Sequence, residues 1–327
     1  MTLHPIWKPY PKLKKELNQT KKLMEKNLNI KNKSVESAIL EMLNQGGKML
    51  RPAYQLLFSQ FGIPDEDKKI ALAAAVEMLH TATLIHDDIV DKSKTRRGLP
   101  SIAHQFGEEV AVYAGDYLFV TTFKLMANYS DNLKSLQLHS QSMEKILDGE
   151  LGQMDFRYQL DQTPEDYLEN ISGKTAELFS LSAAIGAIES GASEKIANQA
   201  RMIGKNIGIA FQIIDDYLDY TQTEKVIGKP VLEDMKQGVY SLPLLLALQT
   251  KKDELAPILR KKEAMTDYDV TVIEKIIHCT DALAQTKATA HKYTENALAI
   301  IRKLPENDAK TKETLADITK QLLERIN

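Results

Sequence analysis

The sequence predicts an all-α protein, a single large helical bundle occupying residues 1–327 as one domain. Three observations carry this. Apolar residues recur at three- and four-residue spacing through most of the 327 positions, the period of one face of a helix. Only 15 Gly and 11 Pro punctuate the chain, and no alternation of apolar and polar residues lasts long enough to argue for a sheet. The connections Gly62-Ile63-Pro64-Asp65 and Gly191-Ala192-Ser193 are short, as between antiparallel neighbours, and no Ser/Gly-rich linker divides the chain.

Periodicity and punctuation place helices near 11–28, 34–45, 52–61, 66–91, 108–129, 132–158, 164–190, 193–220 and 240–250, with about three or four more to 326. The first, with lysines set among Asn and Leu from Lys12 to Lys33, reads as an amphipathic surface helix. Gly46-Gly47 ends the second, and Pro52 opens the third, where a missing N–H suits a first helical position. The fourth contains Ile70-Ala71-Leu72-Ala73-Ala74-Ala75-Val76-Glu77-Met78-Leu79 and the eighth Ile207-Gly208-Ile209-Ala210-Phe211-Gln212-Ile213-Ile214. Both are core-type sequence. Loop chemistry follows each, from Ser93 to Pro100 and from Thr221 to Pro230.

A formal net charge of −3, with 27% charged residues, leaves no electrostatic footprint for nucleic acid. The longest pure apolar run, Leu242 to Leu248, is far too short to span a bilayer, and the N-terminal stretch lacks an apolar core of signal-peptide length. A cytoplasmic protein with at most peripheral membrane contact is expected. Cys279, the single cysteine, reads as a small buried hydrophobe.

Where those two core helices end, the chain carries Asp87-Asp88-Ile89-Val90-Asp91 and Asp215-Asp216-Tyr217-Leu218-Asp219. At 3.6 residues per turn the outer aspartates of each string share a face and the middle one lies about 100° round the axis. Packed like charges repel and need cations. An all-oxygen ligand set favours a hard ion, and Mg²⁺ characteristically takes one or two carboxylates plus substrate phosphates. A phosphate ester is therefore the expected ligand; a charged helix end is the alternative for either string alone.

Basic residues suited to an anion lie near these strings in sequence or at helix starts. Lys48 and Arg51 flank the start of the third helix, Arg96 and Arg97 follow the first string, and Lys174 and Thr175 interrupt an apolar helix in Ser172-Gly173-Lys174-Thr175-Ala176. His80 lies two turns before Asp87, Gln212 one turn before Asp215 and Asp216, and Gly228-Lys229-Pro230 follows the second string. Nothing matches a P-loop, a Rossmann fingerprint or a Ser-His-Asp arrangement.

In order, Gly46-Gly47-Lys48-x-x-Arg51-Pro52, His80, Asp87-Asp88-x-x-Asp91, Arg96-Arg97-Gly98, Gly149-Glu150-x-x-Gln153, Lys174-Thr175, Gln212, Asp215-Asp216-x-x-Asp219 and Gly228-Lys229-Pro230 resemble the trans-prenyl diphosphate synthases. The match spans almost the whole chain and is most similar to the catalytic subunit of bacterial heptaprenyl diphosphate synthases. The resemblance implies an isoprenoid-synthase bundle with a central apolar cavity, which extends an allylic diphosphate with isopentenyl diphosphate for quinone side chains. It implies that Asp87, Asp88, Asp91 and Asp215 bind Mg²⁺, three ions per site, with Asp216 and Asp219 completing the second cluster. Arg96, Lys174 and Lys229 would contact the allylic diphosphate, and Lys48, Arg51, His80 and Arg97 isopentenyl diphosphate. Thr175 and Gln212 would line the reacting centre, and a homodimer is implied.

Family members commonly carry Gly and Lys around the second loop, where this chain has Leu232 and Val239. One diphosphate contact is thereby lost, which leaves room for a small regulatory subunit in a heteromer. Ala82 and Thr83, five and four residues before Asp87, are small where bulky aromatics close the pocket early in this family. Met78, Leu79 and Ala75 continue that wall, with Phe119 and Phe123 as candidates for the floor and core packing as the other reading. From Ile70 to Asp87 the helix runs roughly 25 Å, room for about five isoprene units, so a product of about C30 to C40 is expected rather than C15. A short-chain farnesyl or geranylgeranyl diphosphate synthase, a class I terpene cyclase, and a non-catalytic or partner-dependent subunit are the alternatives. The intact second string and the Gly47-Lys48-x-x-Arg51 motif oppose the cyclase.

Overall fold

A computed structural model describes residues 3–45, 47–130, 132–222 and 232–323. Apart from one two-residue hairpin, the regular structure among them is helical, as the sequence predicts. They group into two compact units. The first comprises Met1–Ser140, Leu181–Arg201 and Pro305–Thr311, and the second Gln141–Ser180, Met202–Leu304 and Lys312–Asn327.

In the first unit, helices α1 (Pro11–Asn27), α2 (Lys33–Asn44) and α3 (Leu50–Phe58) lead to α4 (Glu66–Val90). Asp65 caps α4, its side chain accepting from the Lys68 N–H at 2.8 Å, and Glu66 and Asp67 in the first turn suit the positive end of the macrodipole. From Ala71 to Leu79 every residue of α4 is buried, which explains why this stretch is apolar nearly all round. It packs on α1, α3 and α6 (Glu108–Tyr129). Lys69 is tolerated in this interior because Glu16 and Glu66 meet its ammonium at 2.9 and 2.7 Å.

After α4 the chain forms a hairpin, β1 (Thr95–Arg96) and β2 (Leu99–Pro100), before α5 (Ile102–Phe106). Periodicity is blind to strands of two residues, so the sequence marks this segment only as loop. Pro52 is the third residue of α3 rather than its first, because the helix starts at Leu50 behind a left-handed Met49, φ 50°.

The second unit takes part of α7 (Leu133–Asp155), then α8 (Pro164–Ile171), part of α9 (Glu177–Glu189) and of α10 (Glu194–Thr221), α11 (Glu233–Lys236), α12 (Leu242–Leu259), α13 (Asp267–His278) and α14 (Ala282–Ile301), and α15 (Thr311–Leu323) starts at its edge. Capping boxes start α8 (Thr163 with Asp166) and α13 (Thr266 with Asp269). The single helix expected over 164–190 is broken by a π-helical turn at Ser172–Ala176. Cys279 is exposed just past the end of α13, not buried as its sequence context suggests.

Candidate functional site

The first aspartate string is the last turn of α4. Asp88 is buried, and Arg96 reaches back from the hairpin to donate both Nε (2.8 Å) and Nη2 to its Oδ1. The other oxygen, Oδ2, is buried without a hydrogen-bond partner among the described residues. Burial raises the Asp88 carboxyl above its usual range, with the Arg96 guanidinium opposing that shift. The hairpin that supplies Arg96 is itself fixed: the Ser93 N–H donates to the Asp88 carbonyl at 2.9 Å and Ser101 Oγ to the Ser93 carbonyl at 2.6 Å.

Arg97 and Gly98 form the hairpin's two-residue turn with φ 53° and 77°. Positive φ at both positions is the primed turn that matches strand twist. It also separates the two guanidinium groups. Arg96 meets Asp88, whereas Arg97 donates Nη1 to the Gln45 carbonyl at 3.4 Å and lies over Gly47. A Cβ on Gly47 would come within 2.9 Å of that Nη1, so a residue without one lets the guanidinium cover the turn.

Arg51 Nη1 lies 3.2 Å from His80 Nε2. Desolvation, then Arg51, Arg97 and Arg96, hold His80 well below its usual pKa. A neutral ring beside a permanent cation accepts at Nε2 and keeps its proton on Nδ1. The sequence reading passed over Glu77, one turn before His80. Its carboxyl is buried and raised by that burial, with Arg97 and Arg51 opposing. A lone acid inside Ala71–Leu79 was the available signal.

Of the expected wall residues, Met78 and Ala82 are fully buried on α4. Thr83 is half-buried and donates Oγ1 to the His80 carbonyl at 2.8 Å. Phe119 is half-buried, its ring 5.4 Å from that of His86. Phe123 is 46% exposed and does not close a buried floor.

The second string ends α10, in the second unit. Gln212 accepts from Thr175 Oγ1 at 2.9 Å and donates to Asp216 Oδ1 at 2.8 Å, while the Tyr167 hydroxyl donates to Asp216 Oδ2 at 2.5 Å. Both Asp216 oxygens are thus held by protein, and burial lifts its carboxyl to about 7 despite those two donors. Asp215 and Asp219 are half-buried on either side. Tyr167 was missed from sequence, since its partner is 49 positions away. A tyrosine in a buried helical position must satisfy its hydroxyl, and that requirement is the signal the sequence carries.

Lys174 sits in the π-helical turn, a feature enriched at functional sites. Its ammonium meets Glu150 Oε2 at 2.6 Å and Gln153 Oε1 at 3.0 Å, both on α7. Gly149 permits this approach, for a Cβ there would stand 2.8 Å from the Lys174 backbone N. Lys229 lies outside the described residues. Leu232 occupies a left-handed position, φ 59°, and is buried. That backbone favours Gly, and apolar burial of the Leu side chain offsets the strain.

Among the described residues no three His, Cys, Asp or Glu side chains converge into a ready-made metal cage. The donor chemistry nevertheless fits a hard divalent ion that takes further oxygens from a phosphate ligand: carboxylates predominate, and Asp88 Oδ2 is a buried acceptor with nothing to accept.

Comparison with known proteins gives concordant results. The polyprenyl synthetase family model matches residues 32–279. The chain is 36% identical over 274 residues to heptaprenyl diphosphate synthase component 2 of Geobacillus stearothermophilus, covering 84% of this chain and 85% of that protein. Among solved structures it resembles a geranylgeranyl pyrophosphate synthase from Lactobacillus brevis (TM-score 0.93, 40% identity, 98% and 99% of the two chains). It also resembles heptaprenyl diphosphate synthase from Staphylococcus aureus (TM-score 0.91, 34% identity, 96% and 99%).

Proposed function

Since the chain belongs to the polyprenyl synthetase family and is a trans-prenyl diphosphate synthase, we propose that it extends an allylic diphosphate with isopentenyl diphosphate to a product of about C30 to C40. The observation that carries the reading is the buried Asp88 carboxylate, one oxygen clamped by Arg96 and the other unpartnered, on the helix that also presents His80 to Arg51.

In this reading Asp87, Asp88, Asp91, Asp215 and Asp219 hold Mg²⁺, as three ions, and the metal, when bound, supplies Lewis-acid neutralisation of the departing pyrophosphate. Asp216 orients the second cluster through Tyr167 and Gln212. Arg96 and Lys174, with Lys229, contact the allylic diphosphate, and Thr175 and Gln212 line the reacting centre. Lys48, Arg51, His80 and Arg97 receive the diphosphate of isopentenyl diphosphate. Neutral His80 adds a hydrogen-bond donor there without adding charge, while Arg51 and Arg97 neutralise the anion. None of these side chains is placed as a general base; the released pyrophosphate takes the proton. The surrounding apolar helices exclude water that would quench the allylic cation.

The long product rests on small Ala82 and Thr83 before the first string. Assembly follows from surface chemistry. On α6, Tyr113, Val120 and Phe123 are 76%, 65% and 46% exposed and share a face at helical spacing. An apolar stripe of this kind is a protein-contact surface, and it supports a homodimer. A heteromer is the second reading, because the Geobacillus relative is named as one component of its synthase.

The test incubates the purified chain with Mg²⁺, labelled isopentenyl diphosphate and allylic primers of several lengths, followed by chromatography of the dephosphorylated products. Mg²⁺-dependent products near C30 to C40 are expected. Failure to incorporate label with any primer would overturn the reading, and products stopping at C15 or C20 would replace its long-chain part.

A further inference from the structure

The turn that carries Lys48 is held by three donors, of which only Arg97 belongs to a motif already described. Lys21 Nζ donates to the Asn44 carbonyl at 3.4 Å and Arg97 Nη1 to the Gln45 carbonyl at 3.4 Å, both at the negative end of α2. The third donor comes from the N-terminal segment. Pro5–Trp7 forms a single 3-10 turn, started by His4, whose ring nitrogen accepts from the Ile6 N–H at 3.3 Å. Trp7 is fully buried, and its indole Nε1 donates to the Lys48 carbonyl at 2.7 Å.

We propose that Trp7 is a positioning residue for the diphosphate of isopentenyl diphosphate, fixing the Lys48 peptide so that Lys48 and Arg51 are presented together. Met49, between them, adopts a left-handed conformation at φ 50° and ψ 41°, which a non-glycine residue leaves readily unless its surroundings hold it. The indole hydrogen bond anchors the carbonyl immediately before that residue, and the Met49 carbonyl in turn accepts from the Ala53 N–H at 3.1 Å to begin α3. Without this anchor the turn would have to be ordered when the ligand arrives, at a cost in affinity.

This inference rests on the proposed isopentenyl diphosphate site, and it supplies its own reporter, because Trp7 is the chain's one tryptophan. Isopentenyl diphosphate is titrated into the wild-type protein without Mg²⁺ or primer, following indole emission and, in parallel, heat by calorimetry. A saturable emission change with the calorimetric midpoint is expected. In Trp7→Phe, which keeps a ring but removes the donor, the Kd and the KM for isopentenyl diphosphate should rise about 3- to 10-fold, with kcat and the KM for the allylic primer near wild type. Calorimetric binding with silent emission in the wild type overturns the role of Trp7 while leaving the site intact, as does unchanged affinity in a folded Trp7→Phe. No binding by the wild type overturns the site itself, and the inference with it.

Discussion

Asp88, Asp216 and Glu77 are three buried carboxyls with three different solutions to the cost of burial. Asp88 has a guanidinium on one oxygen, Asp216 has two neutral donors, and Glu77 has the field of Arg97 and Arg51. His139, on α7, makes the opposite choice: it is buried with neither ring nitrogen hydrogen-bonded among the described residues, and burial, partly opposed by Glu189, lowers its pKa to about 4. The unfolded chain binds this proton near pH 6.5 and the folded chain only near 4, so the stabilising neutral form is fully effective above pH 6.5. It is lost as pH falls through that window, at up to about 3 kcal/mol. Denaturant unfolding from pH 7 to 4 should show this loss in the wild type, and His139→Leu should flatten it; parallel profiles would remove His139 as the source. The acid strings were legible because each is a local pattern. Tyr167 and Glu77 were not, because a hydroxyl's or a carboxyl's partner is a property of packing.

Helix α4 sets the site at the scale of elements, since it carries Glu77, His80, the buried Met78 and Ala82, and the first aspartate string on one continuous rod. Its length and apolar character were plain in the sequence. The hairpin that turns Arg96 onto Asp88 and Arg97 toward Gln45 was not, because two-residue strands leave no periodicity. The π-helical turn was equally invisible, and it decides where Lys174 stands. Gly149→Ala should press α7 against the Lys174 backbone, lowering kcat at least about 10-fold with a loss of about 1–3 kcal/mol in stability. Wild-type turnover in this variant, measured with saturating substrates, would show that the turn tolerates displacement. For the wall, Ala82→Phe should shift the product distribution to shorter chains while turnover persists. An unchanged distribution by chromatography would take Ala82 out of the wall.

For the whole molecule, the near-zero net charge and the absence, among described residues, of any helix long and apolar enough to cross a membrane leave the chemistry to local groups. The family assignment rests on motifs distributed from Gly46 to Pro230 and on a family match over residues 32–279. Each compact unit carries one aspartate string with basic residues of its own, and we propose that residues 1–327 make up one catalytic domain. The most direct measurement is steady-state turnover of Asp87→Ala and Asp215→Ala with Mg²⁺, each checked for an unchanged melting temperature. Both should fall by at least about 100-fold, as expected when a charge-stabilising group is removed, and wild-type turnover in either would contradict the account.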